Sequence, residues 1–324
     1  GRTGRKPTRL DRQPYSLSRT TGKSKPCQLI QCKPDNATCT LQHKNCISLY
    51  HYKEIPPFLS GNPYILHGYR VYLPFNLCIK SLFVWSNETI NIWSHLIGFF
   101  IFLTIMLYDI VVTIPNINGV MADYFIMSFG LLCFQYCMLC STGYHLFGCH
   151  SERSCEWWLG VDMGGISIGV IGCYIPAVYY AFYCMTIWRD VYILLICLLT
   201  VSTLFLQRFQ DFSSKRWFRM RILIFTALAA CGVVPSVHWI YLNNGFSATI
   251  VQMFIPKVAV LYMLGIVALA FYLSRFPERL RPGMFDMIGS SHQCWHFVVV
   301  IAFLWCYNSG REILQYRIIN SCTL

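Results

Sequence analysis

The stretch INIWSHLIGFFIFLTIMLYDIVV, Ile90 to Val112, decides the fold. It is almost wholly apolar and exceeds the roughly 20 residues that a helix needs to cross a bilayer core. Six more runs of the same character follow, at about 121–147, 159–182, 190–210, 220–241, 254–274 and 292–308. Pro176 and Pro235 fall inside the third and fifth, which membrane helices tolerate. A large soluble helical bundle is the alternative, and seven runs of this length argue against it. The sequence therefore predicts an all-α membrane protein with seven transmembrane helices.

Composition points the same way. The chain is 55% apolar and 12% charged, against about 25% charged in ordinary soluble domains. A net charge of +12 invites a nucleic-acid reading, but its distribution excludes one. Thirteen of the 26 Lys and Arg precede residue 86. Arg153, the basic loop at 208–221 and the loop at 275–291 fall on the same side of the membrane as that region, by alternation of the spans. The other side receives Arg189, Lys257, Arg311 and Arg317. The count is 22 against 4, and 9 against 4 without the N-terminal region. The positive-inside rule then predicts a cytosolic N-terminus and a luminal or exterior C-terminus.

Four segments are expected. Residues 1–46 read as a disordered, basic cytosolic arm. Residues 47–88 read as a juxtamembrane segment, amphipathic and lying on the cytosolic surface, with Trp85 and Trp93 at the interface belt. Residues 89–310 form the seven-helix domain, and 311–324 a short luminal or extracellular tail. The chain opens on Gly1, which suggests a fragment, a processed form or an imperfect gene model. No secretory signal is visible, so the first span is expected to act as the targeting signal.

The 17 cysteines do not form a recognisable disulfide framework, since most lie inside apolar runs. Cys27, Cys32, Cys39 and Cys46 lack a CxxC pair and read as free thiols rather than a zinc knuckle. The sequons at Asn36 and Asn87 are expected to face the cytosol and stay unglycosylated.

Topology gathers the chemistry. His145 ends the second run, Asp162 lies near the start of the third, and His292 and His296 open the seventh. All four fall at the cytosolic end. Four residues are about one helical turn, so His292 and His296 share a face. Three imidazoles leaving one open position make a catalytic-type Zn2+ site. Zinc would lower the pKa of a bound water to about 7, with Asp162 as orienter or general base. Ser141, one turn before His145, is a candidate donor to a substrate oxygen. The implied chemistry is hydrolysis of a carbonyl compound that enters from lipid, a lipid amide being the natural candidate. A bis-histidine haem is a rival reading that three histidines and a carboxylate fit less well. His95 reads as a core hydrogen-bonding residue, His150 as solvated, and His238 as lying across the membrane.

These residues sit in motifs. SNETINIWSHLIG (Ser86–Gly98), YHLF with CHSE (Tyr144–Phe147, Cys149–Glu152), LGVDMGGI (Leu159–Ile166), PERLRPG (Pro277–Gly283) and SHQCWH (Ser291–His296) resemble the signatures of the progestin and adipoQ receptor family. The resemblance covers roughly 50–318. It implies zinc on His145, His292 and His296, Asp162 near the metal's water, and ceramide-type hydrolysis. GYR (Gly68–Arg70), LCIKSLF (Leu77–Phe83) and QYR (Gln315–Arg317) are similar to a Golgi branch of the family that holds Raf kinase at the Golgi membrane. Two functions are therefore expected: a Golgi scaffold that sequesters Raf kinase and dampens signalling, or a zinc-dependent ceramidase-like amidase. A receptor for an external hormone is the third and least supported reading. The plasma membrane is the alternative location.

Overall fold

The computed structural model describes residues 47–207, 215–320 and 322. The arm at 1–46, with its four cysteines and Asn36, lies outside the described residues. A short helix α1 (Phe75–Lys80) precedes seven long ones. These are α2 (Thr89–Asn116), α3 (Met121–Phe147), α4 (Glu152–Ala181), α5 (Thr186–Gln207), α6 (Arg219–Leu242), α7 (Thr249–Ser274) and α8 (Ser291–Ile319). Each is long and apolar enough to cross a membrane. No strand occurs among the described residues, apart from an isolated bridge between Tyr50 and Tyr69.

The core runs between α2, α3, α4 and α8. Phe134 stacks on Phe303 at 4.3 Å between ring centroids, with Phe102 against both. Apolar lipid offers helices no hydrophobic drive to associate, so close packing must hold them together, and small residues permit it. Gly165 and Gly172 of α4 lie against Cys140 and Cys133 of α3. A methyl group on Gly172 would come 2.5 Å from the Cys133 Cβ and 3.0 Å from the Gly130 carbonyl.

Two helices are irregular for identifiable reasons. α6 breaks at Cys231 and Gly232, ahead of Pro235, whose ring crowds the carbonyl four residues back. α2 passes through a π-turn at Asp109–Thr113.

Three features differ from the sequence reading. First, α8 runs to Ile319 although the apolar run ends near 308. Polar side chains there find partners on a neighbouring helix, as where Lys257 Nζ of α7 meets Glu312 Oε2 at 2.7 Å. Second, α4 begins at Glu152, so Asp162 lies about three turns inside the helix rather than at its start. Third, Cys184, between α4 and α5, forms a disulfide with Cys322 across 138 residues.

Residues 47–88 form a folded cap over the bundle end that carries the histidines. Leu77 and Cys78 of α1 are buried, while Phe75 and Ile79 are exposed, so the helix is amphipathic as expected. The rest of the cap is mostly irregular chain held by distant acids. Asp286 accepts from the backbone N–H groups of Leu66 (2.8 Å) and His67 (2.9 Å). Glu278 accepts from Asn62 Nδ2 at 3.0 Å. Asn87 is buried at the mouth of α2.

Candidate metal centre

His145 lies in the last turn of α3, and His292 and His296 in the first two turns of α8. One ligand nitrogen from each falls within 4.8 Å of the other two. The Nε2 atoms of His145 and His292 are 3.3 Å apart. Three histidines from helices distant in sequence thus converge and could hold a metal ion.

The donor atoms are presented correctly. His145 Nδ1 lies 2.7 Å from Glu88 Oε2. His296 Nδ1 lies 3.1 Å from Ser94 Oγ. The Ser94 hydroxyl already donates to the Asn91 carbonyl at 3.1 Å, so the imidazole is the donor in that pair. Each Nδ1–H is therefore tied down, leaving Nε2 of both rings as a lone pair. This is the outer-shell arrangement that fixes tautomer and ring orientation in metal sites.

The cap and the α7–α8 loop hold the centre in place. Arg70 is buried and donates through Nη2 to the His145 carbonyl and through Nη1 to Ser81 Oγ, both at 2.5 Å. Glu278, fully buried, accepts from the Ser291 N–H at 2.8 Å and its hydroxyl at 2.5 Å. A carboxylate at that place satisfies a free donor of the first turn of α8 and complements its dipole, one residue before His292. Burial raises the Glu88 carboxyl, but the charge and hydrogen bond of His145, with Asn91 and Arg70, outweigh it and hold it down to about 2.

Asp162 is buried, with Ser141 hydrogen-bonded to its carboxylate and His145 within electrostatic reach. It does not belong to the group of mutually close ligand atoms. Ser141 is buried too, paired with Asp162.

Of the other histidines, His95 and His150 depart from expectation and His238 does not. His95 does not hydrogen-bond in the core: both ring nitrogens are buried and unpaired, and the ring stacks on His296 at 3.8 Å. His150 is half-buried and donates from Nδ1 to the Leu73 carbonyl at 2.8 Å. His238 belongs to a separate group, with Tyr192 Oη 2.9 Å from its Nδ1. Sequence reasoning missed Glu88, Ser94, Arg70 and Glu278. For Glu88 a signal existed, an acid at the very mouth of an apolar run.

A family model described as "Haemolysin-III related" matches residues 83–307. The chain is 48% identical over 277 residues to the human "Progestin and adipoQ receptor family member 3", covering 85% of this chain and 89% of that protein. It is 31% identical over 279 residues to the Arabidopsis thaliana "Heptahelical transmembrane protein 1", covering 83% and 82%. It is 30% identical over 279 residues to the Drosophila melanogaster "Adiponectin receptor protein", covering 85% of this chain and 62% of that one. The seven long helices, the matched span across them and these identities make the chain a member of the haemolysin-III related family, among its progestin and adipoQ receptors.

Proposed function

We propose that His145, His292 and His296 bind zinc and that the centre hydrolyses an amide bond of a lipid, with ceramide-like amides as the substrate class. The separation of the His145 and His292 Nε2 atoms, 3.3 Å, carries the reading. Two nitrogens about 2.0–2.1 Å from one tetrahedral zinc are themselves about 3.3 Å apart. When bound, zinc supplies a Lewis acid and an activated water. Asp162 then takes the proton of the attacking water, and Ser141 orients that carboxylate. The substrate enters from the cytosolic leaflet. The charge distribution supports that orientation, as does the Cys184–Cys322 disulfide at the opposite end of the bundle, since disulfides persist in oxidising compartments.

The test is a ceramide-turnover assay on protein purified in lipid nanodiscs, with a zinc count beside it. We expect one zinc per chain. Asp162→Ala should keep the metal and lose turnover by at least about 100-fold. Equal turnover in that variant would remove the hydrolase reading, and unchanged zinc in both His292→Ala and His296→Ala would remove the site.

A second reading rests on the resemblance of the Gly68–Arg70, Leu77–Phe83 and Gln315–Arg317 motifs to the Golgi branch. In it the protein resides in the Golgi membrane and tethers Raf kinase, with zinc serving the fold. Lys53 and Glu54 are exposed on the cap and not fastened to the bundle. Reversing both charges should shift the kinase from the membrane to the soluble fraction. An unaltered distribution counts against a tether on this face.

A further inference from the structure

A second polar site lies at the other end of the bundle. Asp109 follows a helical stretch of 20 residues from Thr89. Arg311 lies equally far from Ser291, the first residue of α8. Twenty residues rise about 30 Å, the thickness of the hydrocarbon core. Both groups therefore reach the far headgroup boundary.

Between α2 and α8 there is a cavity of about 320 Å³, lined by Thr104, Ile105, Tyr108, Tyr307, Asn308 and Arg311. Thr104, Tyr108 and Asn308 stand at the exposed surface, so it opens sideways toward lipid. The Tyr307 and Thr104 hydroxyls have already committed their protons. Tyr307 donates to Asp109 Oδ1 at 2.7 Å, and Thr104 donates to the Phe100 carbonyl at 2.8 Å. Asn308 gives one N–H to the Leu304 carbonyl at 3.0 Å. The Arg311 guanidinium stands 6.0 Å from the centroid of the Tyr307 ring. Its Nε is buried and unpaired, and no carboxylate lies within ion-pairing distance of it among the described residues. The neighbouring Glu312 is taken by Lys257 at 2.7 Å. Asp109 is buried, with its Oδ2 unpaired, in the π-turn of α2, a deformation frequent at functional sites.

A guanidinium that rests on a tyrosine and has no carboxylate partner selects an oxyanion. Ile105 and the Tyr108 ring give an apolar wall for a chain. Ligand cavities run from about 300 to 1,000 Å³, so this one admits a headgroup and the top of one acyl chain. We infer that the groove between α2 and α8 binds a single-chain anionic lipid of the far leaflet, with its headgroup oxyanion on Arg311 and its chain against Ile105 and Tyr108. Asp109 is a positioning residue that holds the Tyr307 hydroxyl and so shapes the wall on which Arg311 rests.

The test uses the full chain in detergent micelles, titrated with oleate, oleoyl lysophosphatidate and oleyl alcohol and read by native mass spectrometry. Oleate or lysophosphatidate should bind at one per chain, and the stronger of the two identifies carboxylate or phosphate as the natural headgroup. Oleyl alcohol should bind at least tenfold more weakly. Arg311→Gln should weaken the anion at least tenfold. Thr104→Phe, at an exposed position where folding is not at risk, should fill the groove and do the same with Arg311 intact. Equal binding of the alcohol would overturn the proposal. So would undiminished anion binding in either variant, which is the result expected if the lipid sits at the histidine cluster instead.

Discussion

Glu88 and His145 are 57 residues apart in sequence, yet the Glu88 carboxylate meets the imidazole Nδ1 at 2.7 Å. The contact joins the mouth of α2 to the end of α3 and fixes which nitrogen of His145 faces the other histidines. Removing such an outer partner typically costs 10–100-fold in metal affinity. We expect Glu88→Gln to lower zinc affinity within that range while the fold persists. A competition titration with a chelator measures it, and unchanged affinity would show that the ring needs no orienting partner.

Arg70 clamps the same turn from the cap side. Each hydrogen bond to a charged group contributes about 1.5–3 kcal/mol, and Arg70 makes two of them, to Ser81 and to the His145 carbonyl. Arg70→Ala should destabilise the protein by about 3 kcal/mol and weaken metal binding as the turn relaxes. Arg70→Lys should recover only part, because an ammonium lacks the planar fork. Thermal unfolding with and without zinc separates the two effects; full rescue by lysine would contradict the clamp.

The histidine cluster was legible in the sequence because helix periodicity and alternating topology are both local rules. His292 and His296 share a face by spacing, and His145 joins them by span parity. The outer partners were not legible in that way. Glu88 and Ser94 acquire roles only once α2 lies against α3 and α8, which packing decides. The cap looks like no more than an amphipathic strip in sequence because its fasteners, Glu278 and Asp286, lie more than 200 residues downstream. The far end of α8 is hidden from a hydropathy reading because Asn308, Arg311 and Glu312 depress it, although Lys257 and Tyr307 partner two of them. Cys184 and Cys322 lie on either side of the last four spans, and no spacing rule pairs cysteines at that distance.

The seam between α3 and α4 should tolerate no added bulk. Overpacking a filled interior costs about 1–3 kcal/mol, and Gly172→Ala forces a methyl group onto Cys133 and the Gly130 carbonyl. We expect a stability loss in that range. Gly265, where an added Cβ meets nothing within 4 Å, serves as the control. Comparable melting of Gly172→Ala and wild type would mean the helices can separate freely.

The Cys184–Cys322 bond closes a loop of 138 residues. Removing a native disulfide costs about 2–5 kcal/mol in small secreted domains, and a loss at the lower end is expected for Cys184→Ser. Peptide mapping of protein from intact membranes should find the two cysteines linked. Finding both alkylated without prior reduction would place that end of the bundle in a reducing compartment.

The anchoring of the cap by Glu278 and Asp286 sets an order of assembly. Asn62, Leu66 and His67 leave the ribosome early, but the carboxylates that grip them emerge only after the sixth span, and His292 and His296 later still. A growing polypeptide therefore carries a loose front end and an incomplete trio of ligands until its final helix has been inserted. Completion of the histidine cluster and closure of the front end belong to one late event of maturation.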